Sequence, residues 1–127
     1  MAEQIILNTD LYDNLLTERK GDYTAKPRIT GTLYNTDIAA RIVAARTEYQ
    51  HGTILNILDM ADSHKVQAIA EGKSVVDGVG QYLVNVQGAF EGEKAQFEPG
   101  KHALGITYTM GKLLRETLKL CLLYTSD

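Results

Sequence analysis

Between residues 37 and 71 the apolar side chains recur every three or four positions; between residues 80 and 109 they recur every two. The first spacing is that of amphipathic helices, the second that of half-buried strands. Thr36-Asp37 supplies a capping residue and a first-turn acid, and Ile38, Ile42 and Ala45 follow, which predicts a short helix to about Arg46. Gly52-Thr53 interrupts the pattern and offers a second cap. Ile54, Ile57, Leu58, Ala61, Ala68 and Ile69 then share one broad face of a longer helix, which Gly72 is placed to stop. In the period-two region Tyr82, Val84, Val86 and Phe90 alternate with Leu83, Asn85, Gln87 and Ala89, and Leu104, Ile106 and Tyr108 alternate with Gly105, Thr107 and Thr109. Two strands are predicted, joined by a segment too long for a tight hairpin turn. Met110-Gly111-Lys112 opens a last helix that buries Leu113, Leu114 and Leu118.

Ahead of residue 36 the pattern is weak. Ile5, Ile6 and Leu7 suit a short strand. The stretch 8–20 is polar and turn-rich, with Leu11, Leu15 and Leu16 as anchors. Lys26-Pro27-Arg28 favours extended backbone, and residues 29–33 suit a second strand that Gly31 weakens. The last seven residues, Cys121 to Asp127, look like the translation of a transposon-end adapter used in sequencing libraries. The expected division is an extended segment over 1–35, a domain over 36–120 and a non-native tail over 121–127, with the native chain cut near Leu120.

Composition narrows the class. A chain of 127 residues, 44% hydrophobic and 23% charged, suits one globular domain. No apolar run reaches the roughly 20 residues of a membrane span, and the N-terminus is too short and acidic for a signal peptide, so a cytoplasmic location without membrane attachment is expected. One cysteine allows neither an intrachain disulfide nor a multi-thiolate metal site. Thirteen Lys and Arg against sixteen Asp and Glu give a net charge of −3; without the tail it is −2. Duplex binding is largely electrostatic, so any basic surface must be local.

Gly72-x-x-Val75-x-x-Gly78-Val79-Gly80-Gln81-Tyr82, followed by Gly111-Lys112-Leu113-Leu114-Arg115, resembles the body of the HU/integration host factor family. A glycine ends the long helix, Gly-x-Gly-x-aromatic joins two strands, and Gly-Lys-x-Leu-Arg enters the last helix. The resemblance covers about residues 36–120. The N-terminal segment, with Phe97-Glu98-Pro99-Gly100-Lys101-His102 in the arm, is similar to the family's Bacteroides-type variant. It implies an α+β fold: two helices, a small antiparallel sheet with a β-arm, and a C-terminal helix. It also implies a homodimer whose arms reach around double-stranded DNA, with an apolar wedge at each tip, and a nucleoid location.

The DNA-contacting residues implied are Lys94, Pro99 and Lys101 in the arm, and Gly111, Lys112 and Arg115 at the last helix, where backbone N–H groups and the lysine face a phosphate. Family arms are strongly basic. Here Lys94 and Lys101 face Glu91, Glu93 and Glu98, a net of −1. Pro99-Gly100 reads first as a turn and second as a wedge; Phe90 and Phe97 suit packing of the arm against the body better than insertion. Further basic residues are Arg41 and Arg46 on the first helix, Lys119 on the last, and the pairs Arg19-Lys20 and Lys26-x-Arg28. The acidic exposed positions Glu48, Asp59, Asp62 and Glu71 argue against a major-groove recognition helix.

No residue pattern supports an enzyme. His51, His64 and His102 lack zinc spacing, Ser63-His64 lacks a nucleophile elbow, and Gly78-x-Gly80 lacks the rest of a dinucleotide or phosphate loop. No cofactor or metal is expected. Met60 and Val66 extend the helices' apolar surface beyond one stripe, which favours a homodimer. The leading expectation is sequence-tolerant DNA binding. The competing one is an HU-fold structural or protein-interaction module with little DNA affinity, the N-terminal part of a longer chain.

Overall fold

The structure is a computed structural model describing residues 5–13, 21–45 and 48–126, the side chains of 122–126 excepted. Its elements are β1 (Ile6–Asp13), β2 (Tyr23–Pro27), α1 (Asn35–Ala44), α2 (His51–Ala70), β3 (Val75–Val76), β4 (Gly80–Gln87), β5 (Ala103–Met110), α3 (Lys112–Lys119) and β6 (Leu122–Ser126). They form two compact units, one over residues 33–114 and one from residues before 33 and after 114. Helix α3 begins in the first and ends in the second.

In the larger unit the two helices start and stop as their ends dictate. At the start of α1 the Tyr34 N–H donates to the Asp37 carboxylate at 2.8 Å, half of a capping box with aspartate as its acid. Helix α2 begins one residue before the expected Gly52. It closes at Gly72, whose φ is 92°; the Gly72 N–H bonds Ile69 O and the Lys73 N–H bonds Ala68 O, both at 3.0 Å, a Schellman ending. Ala39 and Ile54 are the buried apolar side chains between α1 and α2. Asn35 Nδ2 spans Asp59 (3.0 Å) and Asp62 (2.6 Å), and His51 Nε2 meets Thr36 O at 2.8 Å. These carboxylates and this histidine therefore tie α1 to α2.

The sheet of this unit has the order β3-β4-β5, antiparallel throughout. Gly80 faces Met110 and Gln87 faces Ala103, so the two main strands are in register over their whole length. Cross-strand pairs Tyr82–Tyr108, Val84–Ile106 and Val86–Leu104 fall on one face. Strand β4 ends at Gln87, short of the expected Phe90, because Gly88 takes a φ of 106°, where a side chain would also meet the Lys101 carbonyl oxygen at 2.6 Å.

The smaller unit carries the corrections. Strand β1 runs on to Asp13 through part of the stretch expected to be turn-rich. Its partner β2 lies at Tyr23–Pro27 rather than 29–33. Arg28 fixes this pairing: its guanidinium meets the Asp10 carboxylate at 2.5 Å and its N–H donates to Asn8 O at 2.7 Å. Residues 122–126, within the heptapeptide set apart as a tail, pair with β1 in parallel, Ile6 facing Leu122. The sheet order is β2-β1-β6. Two strands thus precede the helices and one follows them, and the order of two helices, sheet and helix holds only over residues 35–119. Leu15, Leu16, Arg19, Lys20 and Arg46 lie outside the described residues.

Candidate nucleic-acid interface

The implied contact residues fall at the two ends of the β4–β5 ribbon. Lys94, Pro99 and Lys101 lie in the connector, residues 88–102; Gly111 and Lys112 follow the other end of β5, and Arg115 stands on α3 one turn after Lys112. An eight-residue strand spans about 24 Å at some 3.4 Å per residue, which is the length of ribbon between the connector and Gly111.

The connector is folded on itself around His102, which is 6% exposed. The Glu98 N–H donates to His102 Nδ1 at 2.8 Å, and Nε2 lies 2.8 Å from Ala89 O. With Nδ1 accepting, Nε2 carries the proton. Phe90 stacks parallel on the imidazole, centroids 3.7 Å apart, and Phe97 tilts against it at 5.7 Å. Both aromatics therefore pack on a residue of the connector itself. Pro99 and Gly100 are the centre of a turn closed by Lys101 N–H to Glu98 O at 2.9 Å, which is the turn reading of that pair. Lys101 Nζ stands 3.5 Å from the Glu98 carboxylate with both side chains well exposed; such a pair is weak and screened by salt. No local pattern in the sequence marks His102 as the centre of this loop.

At the other end, Asp77 organises the turn before β4. Its Oδ1 accepts the Val79 and Gly80 N–H groups, both at 2.9 Å, and its Oδ2 accepts Lys65 Nζ of α2 at 3.0 Å. Val79 O in turn accepts the Gly111 N–H at 3.0 Å and the Tyr108 hydroxyl at 2.9 Å. Of the backbone N–H groups at the helix start, that of Gly111 is therefore taken up by Val79 O. Of the two turn glycines, Gly80 is buried, and a side chain there would collide with the Tyr108 ring and reach Thr109 O at 2.6 Å; Gly78 has open space around it. Close approach is thus a property of Gly80 and not of Gly78. Sequence reading missed Asp77; the Asp77-Gly78 pair is a turn signal that could have marked the bend, but nothing local points to Lys65, 12 residues earlier.

The Asp77 carboxyl is held below the ordinary aspartate range, first by the Lys65 hydrogen bond and then by the two backbone N–H groups. Lys65 is held above its ordinary value by the same bond. A depressed carboxylate stabilises the fold fully above its unfolded value of about 3.9 and loses that contribution as pH falls through the lower folded value. Asp77→Asn is therefore expected to destabilise the domain at pH 7, with the difference from the unsubstituted protein shrinking below about pH 4. Urea unfolding at pH 7, 5 and 3 checks this; a difference that stays constant with pH would contradict it.

The basic pair in the N-terminal segment is engaged elsewhere. Arg28 is bound to Asp10, and the Lys26 ammonium lies 5.2 Å from the Tyr12 ring centroid. Among the described residues no group of His, Cys, Asp and Glu is arranged for a metal ion, and no helix is long and apolar enough to cross a membrane.

Between α2 and the sheet runs an apolar groove of about 450 Å³, lined by Val66, Ile69, Tyr82, Val84, Leu104 and Ile106 among others. Val66 is 66% exposed, Leu104 64% and Ile106 54%. Burial of Tyr82 raises its hydroxyl above the ordinary tyrosine value, with Asp77 adding to the effect.

The comparisons agree with this architecture. The crystal structure of a candidate bacterial DNA-binding protein from Bacteroides vulgatus superposes with a TM-score of 0.81 over 96% of this chain and 49% of its own, at 20% identity. This chain thus spans about half the length of that protein. The Anabaena HU–DNA cocrystal structure matches with a TM-score of 0.52 over 68% of this chain and 97% of its own, at 19% identity. At these identities the likeness is one of fold. No curated protein matches the chain. The family model for the HU-type DNA-binding domain matches residues 6–122, which includes the N-terminal strands as well as the helices and ribbon. The chain belongs to the HU-type DNA-binding domain family.

Proposed function

We propose that the protein is a non-enzymatic, sequence-tolerant binder and bender of double-stranded DNA that acts as a homodimer in the bacterial nucleoid. The observation that carries this reading is the family match across residues 6–122, together with a helix entry, Gly111-Lys112, held firmly at one end of the ribbon. In this reading Lys112 and Arg115 meet phosphates at that end, and Lys94 and Lys101 meet them about 24 Å away, with Pro99 at the connector's turn as the residue nearest a wedge. Gly111 contributes by fixing where the helix starts. Sparse packing within one protomer supports a second copy. Among the described residues only Ala39 and Ile54 are buried apolar side chains, too few for a stable protomer, and the groove between α2 and the sheet is the surface a partner covers. Residues 121–127 stay outside this reading as a non-native tail.

A specific observation favours a second reading. The connector is closed around His102 instead of extending as a basic ribbon, and three glutamates outnumber its two lysines. An HU-fold protein-interaction module that has lost most DNA affinity fits that loop better.

Duplex binding measured between 20 and about 200 mM salt separates the two. DNA binding predicts that the logarithm of the affinity falls linearly with the logarithm of salt concentration. Lys101→Ala with Lys112→Ala should then make the slope shallower by about one for each phosphate contact removed. Absence of binding at the lowest salt would leave the interaction-module reading standing.

A further inference from the structure

We infer that Asp77 is a positioning residue for the start of α3, acting through the Val79 carbonyl to place Gly111 and Lys112. This rests on the reading of Lys112 as a phosphate contact and names the residue that aims it.

The link consists of three hydrogen-bonded steps. Lys65 of α2 holds one oxygen of Asp77 at 3.0 Å. The other oxygen draws in the N–H groups of Val79 and Gly80, and the Asp77 N–H donates to Gly80 O at 2.9 Å. The peptide that follows Val79 is thereby fixed in orientation, because its N–H, on Gly80, is bound by the carboxylate. Its carbonyl, which points the other way across the planar peptide, is the acceptor for both the Gly111 N–H and the Tyr108 hydroxyl. A side chain at Gly111 would stand 3.1 Å from that same carbonyl, so the contact leaves little room for the helix entry to shift. One carboxylate therefore orients the peptide against which the last helix begins. A chain of this kind also makes an acid compatible with a nearby surface assigned to an anionic ligand: its charge is taken up by Lys65 and by two backbone dipoles.

The test uses the full chain in three forms, Asp77→Ala, Asp77→Asn and Lys112→Ala, with the Asp77→Ala, Lys112→Ala double variant. Asparagine keeps an acceptor oxygen for Val79 and Gly80, whereas alanine keeps none. Amide exchange at Gly111, referred to the amides of α2 so that global unfolding cancels, is expected to be about ten-fold faster in Asp77→Ala, the effect of losing one net hydrogen bond. In Asp77→Asn it should stay near that of the unsubstituted protein. In duplex binding the salt slope of Asp77→Ala should fall to that of Lys112→Ala, by about one per contact, and the double variant should bind like Lys112→Ala alone. Unchanged exchange at Gly111 in Asp77→Ala, or losses from Asp77→Ala and Lys112→Ala that multiply in the double variant, would overturn the assignment. If the unsubstituted protein binds no duplex at low salt, the DNA reading fails by itself, and the Gly111 exchange still decides whether Asp77 positions the helix.

Discussion

Ile106→Asp is expected to abolish the proposed homodimer. In one protomer Ile106 is 54% exposed, and a substitution at so open a position would ordinarily change stability by no more than about 0.5 kcal/mol. If the groove between α2 and the sheet is where the partner sits, the same residue is covered twice in the assembly, once in each copy. Only the exposed half of each side chain remains to be covered, so loss of apolar burial alone amounts to about 1.5–3 kcal/mol per dimer, half of the roughly 1.5–3 kcal/mol that full burial of each isoleucine is worth. That is a weakening of association by roughly ten- to two-hundred-fold, before the desolvation of two carboxylates is added. Mass in solution across a range of concentrations reads the effect directly. If folding and association are coupled in this way, the melting temperature of the unsubstituted protein should also rise with concentration. An unsubstituted protein that is monomeric at micromolar concentration, or a variant whose mass is unchanged, would remove the dimer from the proposal.

The second large effect is expected at Gly80. Gly80→Ala forces a methyl group into the Tyr108 ring and to 2.6 Å from Thr109 O. The backbone oxygen belongs to a strand in full register with β4 and cannot step aside alone. The cost is that of overpacking a filled site, about 1–3 kcal/mol or somewhat more. Gly78→Ala, two residues away, meets nothing within 4 Å and should stay within about 0.5 kcal/mol. Chemical denaturation of the two variants side by side provides the comparison; equal losses would mean that the turn needs glycine for flexibility rather than for space.

This contrast shows where sequence reading reaches and where it stops. The repeat of Gly78 and Gly80 announces the turn, yet the pair looks symmetrical until Tyr108 is seen above one member only. Strands β4 and β5 and the end of α2 are legible because their signals are local: alternation over eight residues in each strand, and a glycine just past the last residue of α2 and of β4, Gly72 and Gly88. Strand β2 is not legible in that way. All five of its residues are exposed, so no buried-and-exposed rhythm is imposed on it, and its place is set by Asp10 and Arg28, 18 residues apart. The two polar residues that shape the candidate site were hidden for the same reason. Asp77 finds Lys65 and His102 finds Ala89 across 12 and 13 residues, distances over which spacing carries no message. The charged and glycine positions of the motif were visible, whereas the bonds that decide which of them faces outward were not.

The ribbon that separates the connector from the helix entry also acts as a ruler with coarse graduations. Side chains on paired strands alternate between faces, so lengthening β4 and β5 by one residue each would turn one end's Tyr82–Tyr108 face away from the other end's Val86–Leu104 face. Only steps of two residues keep both in place, and each such step moves the ends apart by about 7 Å. The span between the two groups of basic residues is therefore quantised, and relatives that keep this ribbon can differ in reach only by whole increments of that size.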